Sequence, residues 1–183
     1  MKLINTEIKD LFILEPDVFG DDRGYFFESY NKMKLDALIG KMYHFVQDNE
    51  SKSSYGVIRG LHYQLAPFSQ TKLVRVLQGK VYDVAVDLRK DSPTFGKWFG
   101  VELSGENKRQ FIIPKGFAHG FSVLSETAVF VYKCDEYYHP ETEAGIAYND
   151  PSLNIDWKVR DEDIKVSPKD GLLPRFEKAE INF

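Results

Sequence analysis

Apolar and polar residues alternate in short runs along most of the chain, and turn-forming residues punctuate the runs. That pattern predicts the many short strands of an all-β sandwich or barrel. Residues 11–14 form the first run. Residues 25–30 follow the turn Gly20-Asp21-Asp22-Arg23-Gly24. Asn31 is placed to cap a short helix over residues 32–39, which Gly40 stops. Strands are next expected at 43–48 and 56–63. Residues 72–77 and 80–88 read as a hairpin about Gln78-Gly79. The runs 97–103 and 110–113 flank Ser104-Gly105-Glu106, and 121–124 and 128–137 flank Ser125-Glu126-Thr127. From Asp161 the chain is charged and less regular, which suits short helices. No repeat, low-complexity tract or linker interrupts it. Residues 1–183 therefore read as one domain, with the segment from about 160 to 183 packed against a barrel.

Strand parity adds chemistry to this picture. Alternate residues of a strand share a face. Gly60, His62 and Gln64 align, as do Lys72, Val74 and Val76. So do Asp83, Ala85 and Asp87, and Phe130, Tyr132 and Cys134. His62, Lys72, Asp83 and Tyr132 thus sit among small or apolar neighbours on inward faces. Polar groups aimed into an apolar interior need a partner or a task. A single strand histidine is often only a hydrogen-bonded core residue. An imidazole, an ammonium and a phenol in one barrel are harder to explain by stability alone. Together they suit proton abstraction beside a carbonyl: a base takes the proton, a cation steadies the enolate oxygen, and a phenol returns a proton. Return from the opposite face inverts the carbon, which is epimerase chemistry.

Composition narrows the alternatives. The chain carries a net charge of −4, which disfavours a nucleic-acid partner. Arg23, Arg59, Arg75 and Lys72 could still form a local anion site, arginine being the usual bidentate phosphate clamp. The high aromatic share, 14%, suits both a β core and a ligand pocket. The lone Cys134 allows no internal disulfide. No run approaches the ~20 apolar residues of a membrane span, and the first residues lack a signal-peptide core. The expected place is the cytoplasm.

Two half-motifs, Arg59-Gly60-Leu61-His62-Tyr63-Gln64 and Pro114-Lys115-Gly116-Phe117-Ala118-His119-Gly120-Phe121, have the form of a cupin-type barrel site. Gln64 stands where that pattern places a second metal histidine, and Val123 where it often carries an asparagine. His62 and His119 with no placed carboxylate make a poor metal site, so a metal-dependent oxygenase is the weaker reading. Gln64 in place of histidine leaves His62 free to carry a proton.

Further ordered motifs run over nearly the whole length. They are Asp22-Arg23-Gly24-x-Phe26-x-Glu28, Gln47-Asp48-Asn49-x-Ser51 and Lys72-Leu73-Val74-Arg75-Val76, then Asp83 through Arg89, Tyr132-Lys133-Cys134, Tyr137-Tyr138, Glu143-x-Gly145-Ile146 and Ser167-x-Lys169-Asp170. With the half-motifs, they resemble the dTDP-4-dehydrorhamnose 3,5-epimerase family. The resemblance implies a cupin-type jelly-roll β-barrel with a few short peripheral helices. It implies a homodimer acting on a dTDP-4-keto-6-deoxyhexose, with no metal or other cofactor and no membrane or nucleic-acid partner. In that reading His62 is the base, Tyr132 the acid, Lys72 the enolate stabiliser, Asp170 the partner of His62, and Asp83 a supporting residue. Arg23, Phe26, Glu28, Gln47, Asn49, Arg59, Lys72, His119, Tyr138, Glu143 and Lys169 would bind substrate. Tyr138 would stack on thymine, and the Arg23–Glu28 region would reach the neighbouring subunit. A monofunctional 3- or 5-epimerase and a non-catalytic dTDP-sugar-binding barrel are the rival functions. One geometric demand remains. Ideal parity puts Arg59 and His62 on opposite faces, so a bulge, or an arginine stem reaching around, is needed if both touch one ligand.

Overall fold

A computed structural model describes residues 1–183. Thirteen strands and two short helices run in chain order as β1 (Lys2–Asn5), β2 (Phe12–Glu15), β3 (Phe19–Asp21), β4 (Gly24–Phe26), α1 (Lys32–Ile39), β5 (Gln47–Ser54), β6 (Ile58–Gln64) and β7 (Lys72–Gln78). There follow β8 (Lys80–Asp87), β9 (Trp98–Ser104), β10 (Gln110–Ile113), β11 (Phe117–Val123), β12 (Thr127–Cys134), β13 (Glu143–Gly145) and α2 (Pro168–Gly171). Two antiparallel sheets pack face to face as a jelly-roll barrel. One has the order β1-β2-β10-β7-β12-β5 and the other β13-β6-β11-β8-β9. No helix is long and apolar enough to cross a membrane.

The expected hairpin about Gln78-Gly79 does not form. β7 pairs with β10 and β12, whereas β8 pairs with β9 and β11 in the other sheet. The turn is a sandwich corner. The tight turns after β9 and β11 also carry the chain from one sheet to the other. Apart from the edge strand β9, which pairs with β8 alone, each strand beside these corners finds two partners in its own sheet, which outcompetes pairing across the turn. Gly79 adopts φ +77°, and a Cβ there would lie 2.0 Å from the Thr127 carbonyl oxygen, so only glycine fits that corner.

The helix lies where the sequence places it. Asn31 Oδ1 accepts the Lys34 amide at 3.1 Å, and Gly40 closes the C-terminus in the left-handed region. Two other expectations shift. Strand β4 ends at Phe26 rather than running to residue 30. Strand β5 begins at Gln47, so residues 43–46 lie outside it. The β5 sequence is polar in both phases, yet its even and odd positions alternate between exposed and partly covered.

The core between the sheets contains Val74, Val76, Ala85, Leu103, Phe111, Phe121 and Phe130, all buried. Burying each large apolar side chain contributes about 1.5–3 kcal/mol. A second cluster covers the outer face of the β6–β11–β8 sheet. There Val84, Val86 and Ala118 meet Trp157 and the chain beyond residue 160 through Ile164, Val166, Phe176 and Phe183. Residues of one parity on β8 thus face the barrel interior while the other parity carries the C-terminal segment, and that segment brings α2 to the end of β6.

Candidate active site

Strands β5, β6, β7, β11 and β12 direct side chains into one cavity of about 490 Å³. Arg59, His62, Lys72, His119, Tyr132 and Asp170 all line it. The parity conflict between Arg59 and His62 is resolved by a bulge. β11 aligns His119 with His62 but Phe121 with Arg59, so three steps on β6 oppose two on β11. Gly60 sits in the bulge at φ +117°, where a Cβ would lie 2.6 Å from the His119 carbonyl oxygen. Glycine is therefore what lets Arg59 and His62 meet the same space.

His62 Nε2 lies 2.9 Å from Asp170 Oδ1. The other carboxylate oxygen accepts the Gly60 amide at 3.2 Å. Asp170 belongs to α2, and its own amide is capped by Ser167 Oγ at 3.0 Å. Burial raises the Asp170 pKa, but the hydrogen bond and charge of His62, with the Gly60 and Ser167 bonds, outweigh it and hold the carboxyl below its usual range. The carboxylate is buried while about a third of the His62 side chain, 31%, stays open. This imidazole is oriented on one nitrogen and accessible at its edge, which suits proton transfer. Ser167, quoted in the motif Ser167-x-Lys169-Asp170, caps Asp170 and was given no role in the sequence analysis. A serine two residues before Lys169 and three before Asp170 carries the cap signature that could have found it.

A second histidine–carboxylate pair lies beside the first. His119 Nε2 contacts Asp83 Oδ1 and Oδ2 at 2.9 and 3.0 Å. Both side chains are buried, Asp83 completely. Burial raises the Asp83 pKa, opposed by His119 and Lys72. Burial likewise lowers the Lys72 pKa, opposed by Cys134, Asp83 and Glu143. The Lys72 ammonium stands 5.9 Å from the centre of the Tyr132 ring. Burial raises the Tyr132 pKa, which keeps the phenol protonated. The cavity therefore holds an accessible imidazole, a partly buried lysine and a protonated phenol.

At the rim, Glu143 Oε2 accepts both the Tyr138 hydroxyl and the Lys169 ammonium, each at 2.6 Å. Burial raises the Glu143 pKa, but these two bonds prevail and lower it. Gln47 Nε2 donates to Asn49 Oδ1 at 2.9 Å, and Gln47 Oε1 accepts the Tyr138 amide at 3.2 Å. Asn49 also reaches the cavity. Arg59 is held by Ser53 Oγ at 3.0 Å, a further contact not read from sequence. Arg23, Phe26 and Glu28 are not brought to this cavity. Arg23 pairs with Asp21 on the exposed β3–β4 ribbon, whose Phe19, Tyr25 and Phe26 are largely uncovered. Glu28 instead binds Lys34 and Asn31.

The model of the dTDP-4-dehydrorhamnose 3,5-epimerase family matches residues 5–178. The chain belongs to that family. It is 59% identical to the dTDP-4-dehydrorhamnose 3,5-epimerase of Shigella flexneri over 160 residues, covering 87% of this chain and 88% of the relative. The crystal structure of the Elizabethkingia anophelis NUHP1 enzyme of that name is 58% identical and superposes with a TM-score of 0.93 over 97% of both chains. The Legionella pneumophila Philadelphia 1 dTDP-6-deoxy-D-glucose-3,5-epimerase, solved in complex with dTDP-4-keto-L-rhamnose, is 55% identical. Its TM-score is 0.89, covering 96% of this chain and 98% of that one.

Proposed function

We propose that the chain epimerises dTDP-4-dehydro-6-deoxy-D-glucose at C3 and C5, giving dTDP-4-dehydro-L-rhamnose. The observation that carries this reading is the oriented His62–Asp170 pair, 2.9 Å apart, in the same cavity as Lys72 and Tyr132. C3 and C5 both flank the C4 ketone, so one carbonyl acidifies both protons. His62 removes each proton, and Asp170 holds the imidazole and stabilises its charged form. Lys72 meets the negative charge that develops on the C4 oxygen. Tyr132 returns the proton from the face opposite His62. Sugar movement or ring flipping between the two steps lets one base and one acid serve both carbons.

In this reading Arg59, His119, Gln47, Asn49, Glu143 and Lys169 bind the nucleotide portion, and Tyr138 stacks on thymine. Because Asp83 occupies His119 Nε2, His119 meets the ligand through its other edge. The exposed aromatic ribbon carrying Arg23 and Phe26, followed by Glu28, supports a homodimer in which these three residues complete the partner's site. We read residues 1–183 as one domain acting in the cytoplasm.

Incubation with dTDP-4-keto-6-deoxyglucose in deuterated water tests the reaction directly. The expected product is the 4-dehydro-L-rhamnose nucleotide, deuterated at C3 and C5 by NMR. Label at one carbon alone would assign a monofunctional epimerase, and no label at either would overturn the reading.

A further inference from the structure

Gln64 follows His62 by two residues on β6 and is buried, yet the proposed reaction does not use it. Its amide is fully engaged. Nε2 donates to the Phe68 carbonyl at 2.6 Å and to the Tyr137 carbonyl at 3.1 Å. Oε1 accepts the His139 amide at 2.7 Å. Two of these three partners flank Tyr138. Across the β6–β13 pairing, Gln64 stands directly opposite Glu143, which accepts the Tyr138 hydroxyl. Tyr138 is therefore held on three sides, at its own amide by Gln47, at the flanking Tyr137 carbonyl and His139 amide by Gln64, and at its phenol by Glu143. The Phe68 and His139 rings, on the two segments joined by Gln64, stack 3.8 Å apart with 15° between their planes.

We infer that Gln64 is a positioning residue for the nucleotide subsite, fixing the backbone on both sides of Tyr138 so that its ring is presented as a platform for the base. This rests on the reading of Tyr138 as the base-stacking residue. The geometry calls for a side chain with two donors and one acceptor at a single amide. Glutamate would set a carboxylate oxygen against the Phe68 and Tyr137 carbonyls. A hydrocarbon would leave those carbonyls and the His139 amide without partners. The residue at the cupin ligand position is thus committed to the rim, in addition to leaving His62 free.

The test compares wild type, Gln64→Met, Tyr138→Ala and the double variant, measuring dTDP affinity by calorimetry together with kcat and KM. Base–aromatic stacking is typically worth on the order of five- to a hundredfold in affinity. Gln64→Met should weaken dTDP binding and raise KM by roughly tenfold, within that range, while kcat stays within about threefold. Loosening a fold would lower kcat and the active fraction without this split. The double variant should bind dTDP no more weakly than Tyr138→Ala, because both changes remove one platform. Unchanged dTDP affinity in Gln64→Met, beside a weakened Tyr138→Ala, would overturn the role of Gln64 alone. Unchanged affinity in Tyr138→Ala would overturn the stacking reading and this inference with it. If Gln64→Met does not fold, Gln64→Glu supplies the same comparison, since it keeps the acceptor for His139 and loses both donors.

Discussion

Asp170→Asn isolates what the carboxylate does for the base. The variant keeps the side-chain shape but cannot keep both bonds. In the native pair one oxygen faces His62 Nε2 and the other accepts the Gly60 amide. If the new amide nitrogen faces His62, it imposes the tautomer with the proton on Nδ1. If it faces Gly60, two donors oppose each other. Either way the negative charge beside the imidazolium is gone. Unit charges about 4 Å apart interact by about 4 kcal/mol at an effective dielectric of 20 and by about 1 kcal/mol in water. His62 is about one-third open to solvent, so roughly 2–3 kcal/mol is a fair discounted value. At about 1.36 kcal/mol per decade this slows proton abstraction roughly 30- to 150-fold. The assay is deuterium washout at C3 and C5, with kcat and KM followed in parallel. A washout rate within about threefold of wild type would refute the electrostatic argument. The same variant reports on stability. The Asp170 carboxyl is held below its usual range, so its contribution is present above the unfolded pKa of about 3.9 and fades as pH falls through the folded value. Asp170→Asn should therefore be less stable at pH 7 and lose stability less steeply below about pH 4 in denaturant melts.

Other outcomes follow from neighbouring residues. His62→Ala should abolish deuterium incorporation at both carbons, and retained exchange would show that another group is the base. Tyr132→Phe should depress inversion more than exchange, read by comparing product stereochemistry with label uptake. Asp83→Asn should move the alkaline limb of kcat/KM to lower pH. Burial already lowers the Lys72 pKa, and Asp83, with Cys134 and Glu143, opposes that shift. Gly60→Ala should destabilise the fold by about 2–5 kcal/mol in chemical melts, because its Cβ meets His119 and Gly120 backbone atoms and its φ is unfavourable.

The helix was legible because its two ends carry their own chemistry, Asn31 at one and Gly40 at the other. The cavity-facing parity of Lys72 and Tyr132 was legible because their same-face neighbours, Val74 and Phe130, are core residues. Even the bulge was foreseeable, as a condition for Arg59 and His62 to share a cavity. The corners were not legible. A turn such as Gln78-Gly79 looks the same whether the next strand pairs across it or crosses to the other sheet, and long-range partners decide. Strand β5 was displaced because its covered positions, Asn49 and Ser51 among them, line a polar cavity rather than an apolar core. Asp170 reaches His62 across 108 residues of sequence, and only the family resemblance joined the two. The pairing of Asp83 with His119 left no local trace, since each is an ordinary inward position on its own strand.

That second pair bears on how the site divides its work. Two imidazoles stand opposite each other on adjacent strands, each bound through Nε2 to a carboxylate, and composition alone would make them interchangeable. Burial separates them. Asp170 remains below its usual pKa because several donors serve it, and its histidine is open enough to meet substrate. Asp83 is fully enclosed and pushed up by burial, and its histidine is almost as enclosed. A base must gain and release a proton in each turnover, which favours the pair with a stable carboxylate and an accessible ring. The enclosed pair is shut away from solvent, so it is better suited to a fixed supporting role beside Lys72. In the proposed reaction His62 therefore moves protons while Asp83 and His119 fix the field in which Lys72 works, and the bulge at Gly60 places the two pairs side by side.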